Sequence, residues 1–225
     1  MTGLKWSDVK LGRTSKGKPI LIDENGVDSR FSFNMSHHGD YVLVVCENFS
    51  PSSMCGVDVM KIEIPTYKKT IDEYLDFMKS KFSRREFSTY GNYSNDYDKL
   101  ILFYRYWCLK ESYLKATGTG IHSKLSSLDF EVKTFDLPLD KTCRDTVLWI
   151  DGVKQLFTFE ECWIDGNHFA AVCLSPVSTK DTTKFTSVDL KFLMDACTTL
   201  PNNVGLPDSV LRLYFDKKFK AVSNK

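Results

Sequence analysis

Residues 96–117, DYDKLILFYRYWCLKESYLKAT, contain neither glycine nor proline, and no other stretch of the chain restricts the fold so strongly. An unbroken run of this kind is a helix, and Gly118 is placed to stop it. At about 100° per residue, Phe103, Trp107 and Leu114 fall on one arc. Leu102, Tyr106, Leu109 and Tyr113 fall on another, nearly opposite. A helix apolar on two arcs is buried on both, so the rest of the chain has to cover it from two sides. Glu111 and Lys115 stand on the narrow strip beside Trp107, one turn apart and on the same face. If that strip is wet, a simple ion pair accounts for them at about 0.3 kcal/mol. If it is dry, an unpaired carboxylate costs several kcal/mol and a purely structural role is a poor explanation.

The cover for this helix is legible on both sides of it. FSFNMS and YVLVVCE read as strands joined by a tight turn at His38, Gly39 and Asp40, and MCGVDVMKIEI reads as a third strand. Ile71, Tyr74, Leu75 and Met78 follow an i, i+3, i+4, i+7 pattern, which predicts an amphipathic helix over 70–80. Ser83 and Glu86 have the spacing of a capping box that opens a second, short helix. After the long helix, SSLDFEVK, DTVLWIDG, QLFTFEECWID and HFAAVCLS predict four strands. Together these elements predict an α+β fold, an antiparallel sheet packed against helices. Residues 1–30 read as turn-rich, with the basic stretch GRTSKGKP, and the chain beyond Ser175 reads as a polar linker with a weak helical stretch around 187–197.

Bulk properties narrow the function. Lys and Arg total 30 against 29 Asp and Glu, so a grip on long nucleic acid is not expected and any basic site is local. No apolar run is long enough to span a membrane, and the first residues lack a signal or transit pattern, so a cytosolic protein is expected. The seven cysteines are scattered singly with no C-x-x-C pair, the pattern of reduced thiols rather than of disulfides or structural zinc.

Asp58 lies in the middle of the apolar strand GVDVM, with Val57 and Val59 facing the other way. An edge-strand aspartate facing solvent would look the same. Two carboxylates withdrawn from water, Asp58 and Glu111, nevertheless share a common use in holding Mg²⁺, which in turn carries substrate phosphates. RTSKGK and NMSH supply guanidinium, ammonium, hydroxyl and imidazole donors suited to phosphate, with Gly17 allowing close backbone approach, although a solvated basic loop reads alike.

In this order and at these separations, NMSHHGD, GVDVM and WCLKESYLKATG resemble the 4′-phosphopantetheinyl transferases. GRTSKGKPIL and FYRYW bring the resemblance nearest to the animal subgroup, whose name links it to lysine metabolism. The resemblance implies a holo-[acyl-carrier-protein] synthase, which moves the 4′-phosphopantetheine arm of coenzyme A onto a serine of an acyl or peptidyl carrier domain and releases 3′,5′-ADP. It implies that Arg13, Thr14, Ser15, Lys16, Gly17 and Lys18, with Asn34, Met35, Ser36 and His37, hold the phosphates and adenosine end of coenzyme A. Asp58 and Glu111 would hold Mg²⁺, and Glu111, Ser112 and Lys115 would also contact the cofactor. Glu111 and Lys115 are the implied catalytic pair, Glu111 taking the proton of the carrier serine and Lys115 reaching a phosphate oxygen.

The resemblance also sets expectations that depart from the family pattern. Many members carry an acidic third metal ligand two positions after the strand aspartate, where this chain has Met60, a poor partner for Mg²⁺. His38 could approach the metal instead, although a water suits Mg²⁺ better. Monomeric members are pseudo-dimers of two similar halves. On that basis residues 1–50 are a remnant of the first half, 51–175 a complete second half with the metal site, and 176–225 a linker and tail. The face that a first half would cover is then expected to be apolar and prone to self-association. A truncated, non-catalytic binder of coenzyme A or carrier protein, or a Mg²⁺-dependent phosphohydrolase, would use the same residues.

Overall fold

The computed structural model describes residues 9–23, 26–27, 31–47, 53–64, 70–120, 124–139, 141–177, 185–189, 191 and 195. In chain order the strands before the first helix are β1 (Lys10–Arg13), β2 (Pro19–Asp23), β3 (Gly26–Val27), β4 (Ser32–His38), β5 (Tyr41–Glu47) and β6 (Met54–Lys61). Three helices follow, α1 (Ile71–Met78), α2 (Arg84–Thr89) and α3 (Asp96–Thr117). The remaining strands are β7 (Leu128–Glu131), β8 (Val147–Ile150), β9 (Val153–Lys154), β10 (Thr158–Trp163) and β11 (His168–Ser175). All of these lie in one compact unit, Met1–Phe185; the other unit, Thr186–Lys225, holds the helical stretch expected around 187–197, which falls largely outside the described residues.

Each helix begins and ends where its sequence signals place it. Thr70 caps α1, Ser83 and Glu86 close the capping box of α2, and Asn95 accepts from the Tyr97 N–H at the start of α3. Gly118 ends α3 with a φ of 65°, a conformation glycine adopts without penalty. The two-arc reading of α3 holds. Twelve of its residues are buried, including Leu102, Phe103, Tyr106, Leu109 and Leu114, whereas Trp107, Glu111 and Lys115 are only half-buried.

The antiparallel, α+β architecture is as expected, but the strands form four small sheets rather than one. Strand β11 pairs with β10 on one edge and β6 on the other, and β7, β8 and β9 form a separate sheet. Phe130 and Leu148 from the latter, with Phe159, Phe169 and Ala171 from the former, join one apolar core with α3. A helix with two apolar arcs thus receives cover from two sheets. The other face of β6 and β11 is buried as well, where Cys55, Val57, Val59, Ala170 and Val172 pack with Leu43 of β5. The turn-rich reading of residues 1–30 needs one correction. Leu11, Ile20, Leu21 and Ile22 favour extended chain, and β1 pairs with β2 in register from Lys10–Ile22 to Arg13–Pro19.

Two buried ion pairs lie inside the core. Arg105 donates to both carboxylate oxygens of Glu161, at 2.6 and 3.1 Å, and to the Thr134 carbonyl at 2.6 Å. Lys110 meets Glu86 at 2.8 Å and donates to the Leu125 and Leu128 carbonyls, while Glu86 accepts from the Ser83 and Phe130 N–H groups. Burial pushes the Glu86 carboxyl up and the Lys110 ammonium down, each against the pull of its partner.

Strand β4 joins β6 without a main-chain ladder. Among the described residues its alternate side chains do the pairing: Ser32 Oγ accepts from the Cys55 N–H, Asn34 Oδ1 from the Val57 N–H and His38 Nδ1 from the Lys61 N–H. The turn after β4 is held at its tip by buried His168, whose Nε2 faces the Asp40 N–H while Nδ1 meets Asp165 at 3.0 Å. This seam decides which residues of β4 face the site.

Candidate active site

Gly56 sets the distance between β6 and α3. A Cβ on it would come closer than 3.0 Å to the Ser112 carbonyl oxygen and to the backbone of Ala116. The strand therefore lies directly on the helix. Asp58, two residues along and on the same face, is pressed against the Glu111–Lys115 strip.

Asp58 is 5% exposed, opposite Ala171 of β11 in the register. Its Oδ1 accepts from Lys115 Nζ at 2.7 Å and from Ser36 Oγ at 2.8 Å, and Ser36 Oγ also accepts from Lys115 at 2.8 Å. Three groups from three elements thus close a small polar triangle. The other oxygen, Oδ2, is buried with no hydrogen-bond partner among the described residues. A buried anionic oxygen without a partner costs several kcal/mol, so a cation is the natural complement to it. Glu111 stands alongside; burial and the negative charge of Asp58 push its carboxyl up, with Lys115 opposing them. Behind the triangle, the fully buried Cys108 thiol is pushed up by its burial and by Asp58, so it stays protonated.

No group of three or more His, Cys, Asp or Glu side chains is arranged as a metal cage among the described residues. The carboxylate pair with an orphaned oxygen nevertheless fits Mg²⁺, which binds through one or two carboxylates and keeps waters for its remaining positions. Met60 packs against the apolar core, and the His38 ring nitrogen that faces β6 accepts the Lys61 N–H at 2.7 Å.

Strand alternation divides the NMSH motif. Asn34 and Ser36 point inward and are buried, while Met35 and His37 are exposed on the opposite face. The Asn34 side-chain oxygen accepts the Val57 N–H at 3.3 Å and so fixes the strand. Ser112, expected at the cofactor, is wholly buried and donates to the Leu109 carbonyl. The small residues Ser112 and Ala116 are instead what lets β6 approach, a constraint that only the three-dimensional contact with Gly56 reveals. In the basic turn, Arg13 Nη1 donates to the Gly17 carbonyl at 2.9 Å and Thr14 Oγ1 accepts the Lys18 N–H at 3.1 Å, with Gly17 at a φ of 87°. Arg13, Thr14, Ser15, Lys16 and Gly17 are exposed, whereas Lys18 reaches the Ala116 carbonyl near the end of α3. Burial lowers the Lys18 ammonium, and its position near the helix C-terminus places a cation where the helix dipole is negative. The turn and the triangle are therefore both anchored to the last turns of α3.

Comparison with known proteins identifies the family. Residues 54–173 match the 4′-phosphopantetheinyl transferase superfamily, and residues 1–49 match the N-terminal region of 4′-phosphopantetheinyl transferases. The chain is 37% identical over 173 residues to the L-aminoadipate-semialdehyde dehydrogenase-phosphopantetheinyl transferase of Homo sapiens, covering 76% of this chain and 55% of that protein. It is 34% identical to a phosphopantetheinyl transferase of Thraustochytrium sp., over 75% of this chain and 56% of the relative. With the Saccharomyces cerevisiae L-aminoadipate-semialdehyde dehydrogenase-phosphopantetheinyl transferase it shares 32% identity, over 87% of this chain and 68% of the relative. The chain thus spans little more than half the length of the human protein. On the strength of the family match across β6 to β11, the chain belongs to the 4′-phosphopantetheinyl transferase superfamily.

Proposed function

We propose that this chain transfers the 4′-phosphopantetheine arm of coenzyme A to a serine hydroxyl of an acyl or peptidyl carrier domain in the cytosol, releasing 3′,5′-ADP. The observation that carries this reading is the Asp58 carboxylate, buried with one oxygen tied to Ser36 and Lys115 and the other left without a partner beside Glu111. Asp58 and Glu111 would hold Mg²⁺, which supplies neutralisation of the pyrophosphate charge.

The rest of the chemistry falls to the chain's own side chains. Glu111, one turn from Lys115 and beside Asp58, stands where it would take the proton as the carrier serine attacks the phosphorus of the phosphopantetheine arm. A bond forms from the serine oxygen to that phosphorus and the bond to the 3′,5′-ADP oxygen breaks, the ADP leaving with the electron pair. Lys115, half-exposed on its side toward solvent, brings a positive charge to the same face, and Ser36 fixes both Lys115 and Asp58. Such transfers ask for positioning and charge stabilisation rather than covalent help. The exposed turn Arg13–Lys16 and the outward His37 are among the donors that would meet the nucleotide end of coenzyme A.

A carrier domain incubated with fluorescently labelled coenzyme A tests the proposal: label on the carrier serine is the expected result. Asp58→Ala and Glu111→Gln should each abolish transfer, and their losses should not add in the double variant. Coenzyme A binding without transfer would favour the binding-only reading. Self-association belongs to the same proposal. Met35, Val42 and Val44 are 53%, 64% and 58% exposed, and Met35 lies opposite Val44 in the register, so one face of the β4–β5 hairpin is an apolar strip.

A further inference from the structure

A cavity of about 260 Å³ opens at the other end of α3 from the triangle. Arg105, which lines it, precedes Lys115 by ten residues, or about 15 Å along the helix axis. Asp98, Ile101, Leu102 and Arg105 line one wall at helical spacing. The opposite wall is the loop after β7, with Phe135 and Asp136, and Trp163 and Phe169 stand in T-shaped contact at its side, 5.5 Å between ring centroids. Tyr93 faces Phe135 at 6.4 Å.

The lining is built rather than left over. Arg105, itself saturated by Glu161, donates to the Thr134 and Phe135 carbonyls and so ties down the loop that carries the aromatic and acidic wall. Its charge is spent inward. Asp98 and Asp136 are different: neither makes an ion pair or hydrogen bond among the described residues. Burial pushes the Tyr93 hydroxyl up, and the negative charges of Asp136 and Asp98 add to it with Arg105 opposing. Asp98 sits in the first turn of α3, where the helix dipole favours an acid, and Asp136 is an exposed carboxylate at the open side of the cavity. Aromatic faces with unpaired carboxylates at the rim and an apolar floor select a cation on an apolar stem. The mouth is open, with Phe135 45% exposed, so the occupant extends into solvent rather than being enclosed.

We propose that this cavity receives the side chain of an arginine or lysine presented by a partner polypeptide. The site is separate from the transfer chemistry, and its test makes no use of transfer, so failure of either reading leaves the other standing. The probes are N-acetylargininamide and its neutral isostere N-acetylcitrullinamide, titrated into the 225-residue chain. The readout is the indole N–H resonance of Trp163, assigned by its loss in Trp163→Phe. Argininamide should shift this resonance with about tenfold tighter binding than citrullinamide. Asp136→Asn should weaken the arginine probe severalfold, and adding Asp98→Asn should reduce it to the level of citrullinamide. Equal binding of the two probes, no shift with either, or an undiminished preference in the double variant would overturn the proposal and leave the cavity as a packing gap.

Discussion

Gly56 carries a consequence for the site out of proportion to its size. Because backbone, not a flexible side chain, occupies the space a Cβ would need, Gly56→Ala has to push β6 from α3. The expected loss is about 1–3 kcal/mol in urea denaturation, as for other overpacked contacts. Transfer should fall further than stability alone implies, because Asp58 moves with the strand; an unchanged denaturation midpoint would show the contact to be soft. Asp165 offers a pH test. Burial would push its carboxyl up, but the N–H groups of Asn167 and His168 and the His168 ring outweigh it and hold it below its ordinary 3.8. A carboxyl depressed in the folded state contributes stability above its unfolded pKa and loses it as pH falls through the folded one. Asp165→Asn should therefore melt at a lower temperature than the parent near neutrality, with the gap closing in acid below pH 3.8. Asp58, Glu111 and Lys115 were legible in the sequence because a charge in an apolar pattern is conspicuous. Ser36 as the bridge between Asp58 and Lys115, and the backbone partners of Asn34 and Ser112, were not: a hydroxyl or amide has many possible partners, and only the fold selects one.

At the scale of elements, caps and periodicity located the helices because those signals are local. Glu86 shows the limit. Its spacing from Ser83 announced a capping box, yet its pairing with Lys110 and the Phe130 N–H depends on a helix and a strand far along the chain. Lys110→Met should cost about 3–5 kcal/mol in urea denaturation, since it strands a buried carboxylate. Pairing it with Glu86→Gln should cost less than the sum of the two single changes, as expected for groups sharing one interaction; strictly additive losses would mean that the pair does not act as a unit. The β1–β2 hairpin was not legible for the opposite reason, because its polar turn with Gly17 and its exposed cations concealed a weak apolar alternation. The division of one expected sheet into four escaped as well, since strand patterns say which faces are buried but not which edges pair.

For the whole molecule, the proposed self-association can be tested at the apolar strip on the β4–β5 hairpin. Val44→Lys places a charge at its centre, opposite Met35. Concentration-dependent association measured by light scattering should weaken in this variant, with the melting temperature nearly unchanged because Val44 is already exposed. The seam between β4 and β6 has a different kind of consequence. A main-chain ladder is indifferent to which residues it joins, so mutation rarely rewrites it. Here the alignment is spelled out in side chains, Ser32, Asn34 and His38 each finding one amide of the neighbouring strand. A slip by one residue would present Phe33, Met35 and His37 to those amides, and of these only a histidine could answer. The hairpin thus carries its own key. It delivers Ser36 to Asp58 in a single alignment, and a few point substitutions, with no change of fold, are enough to recut or lose that key.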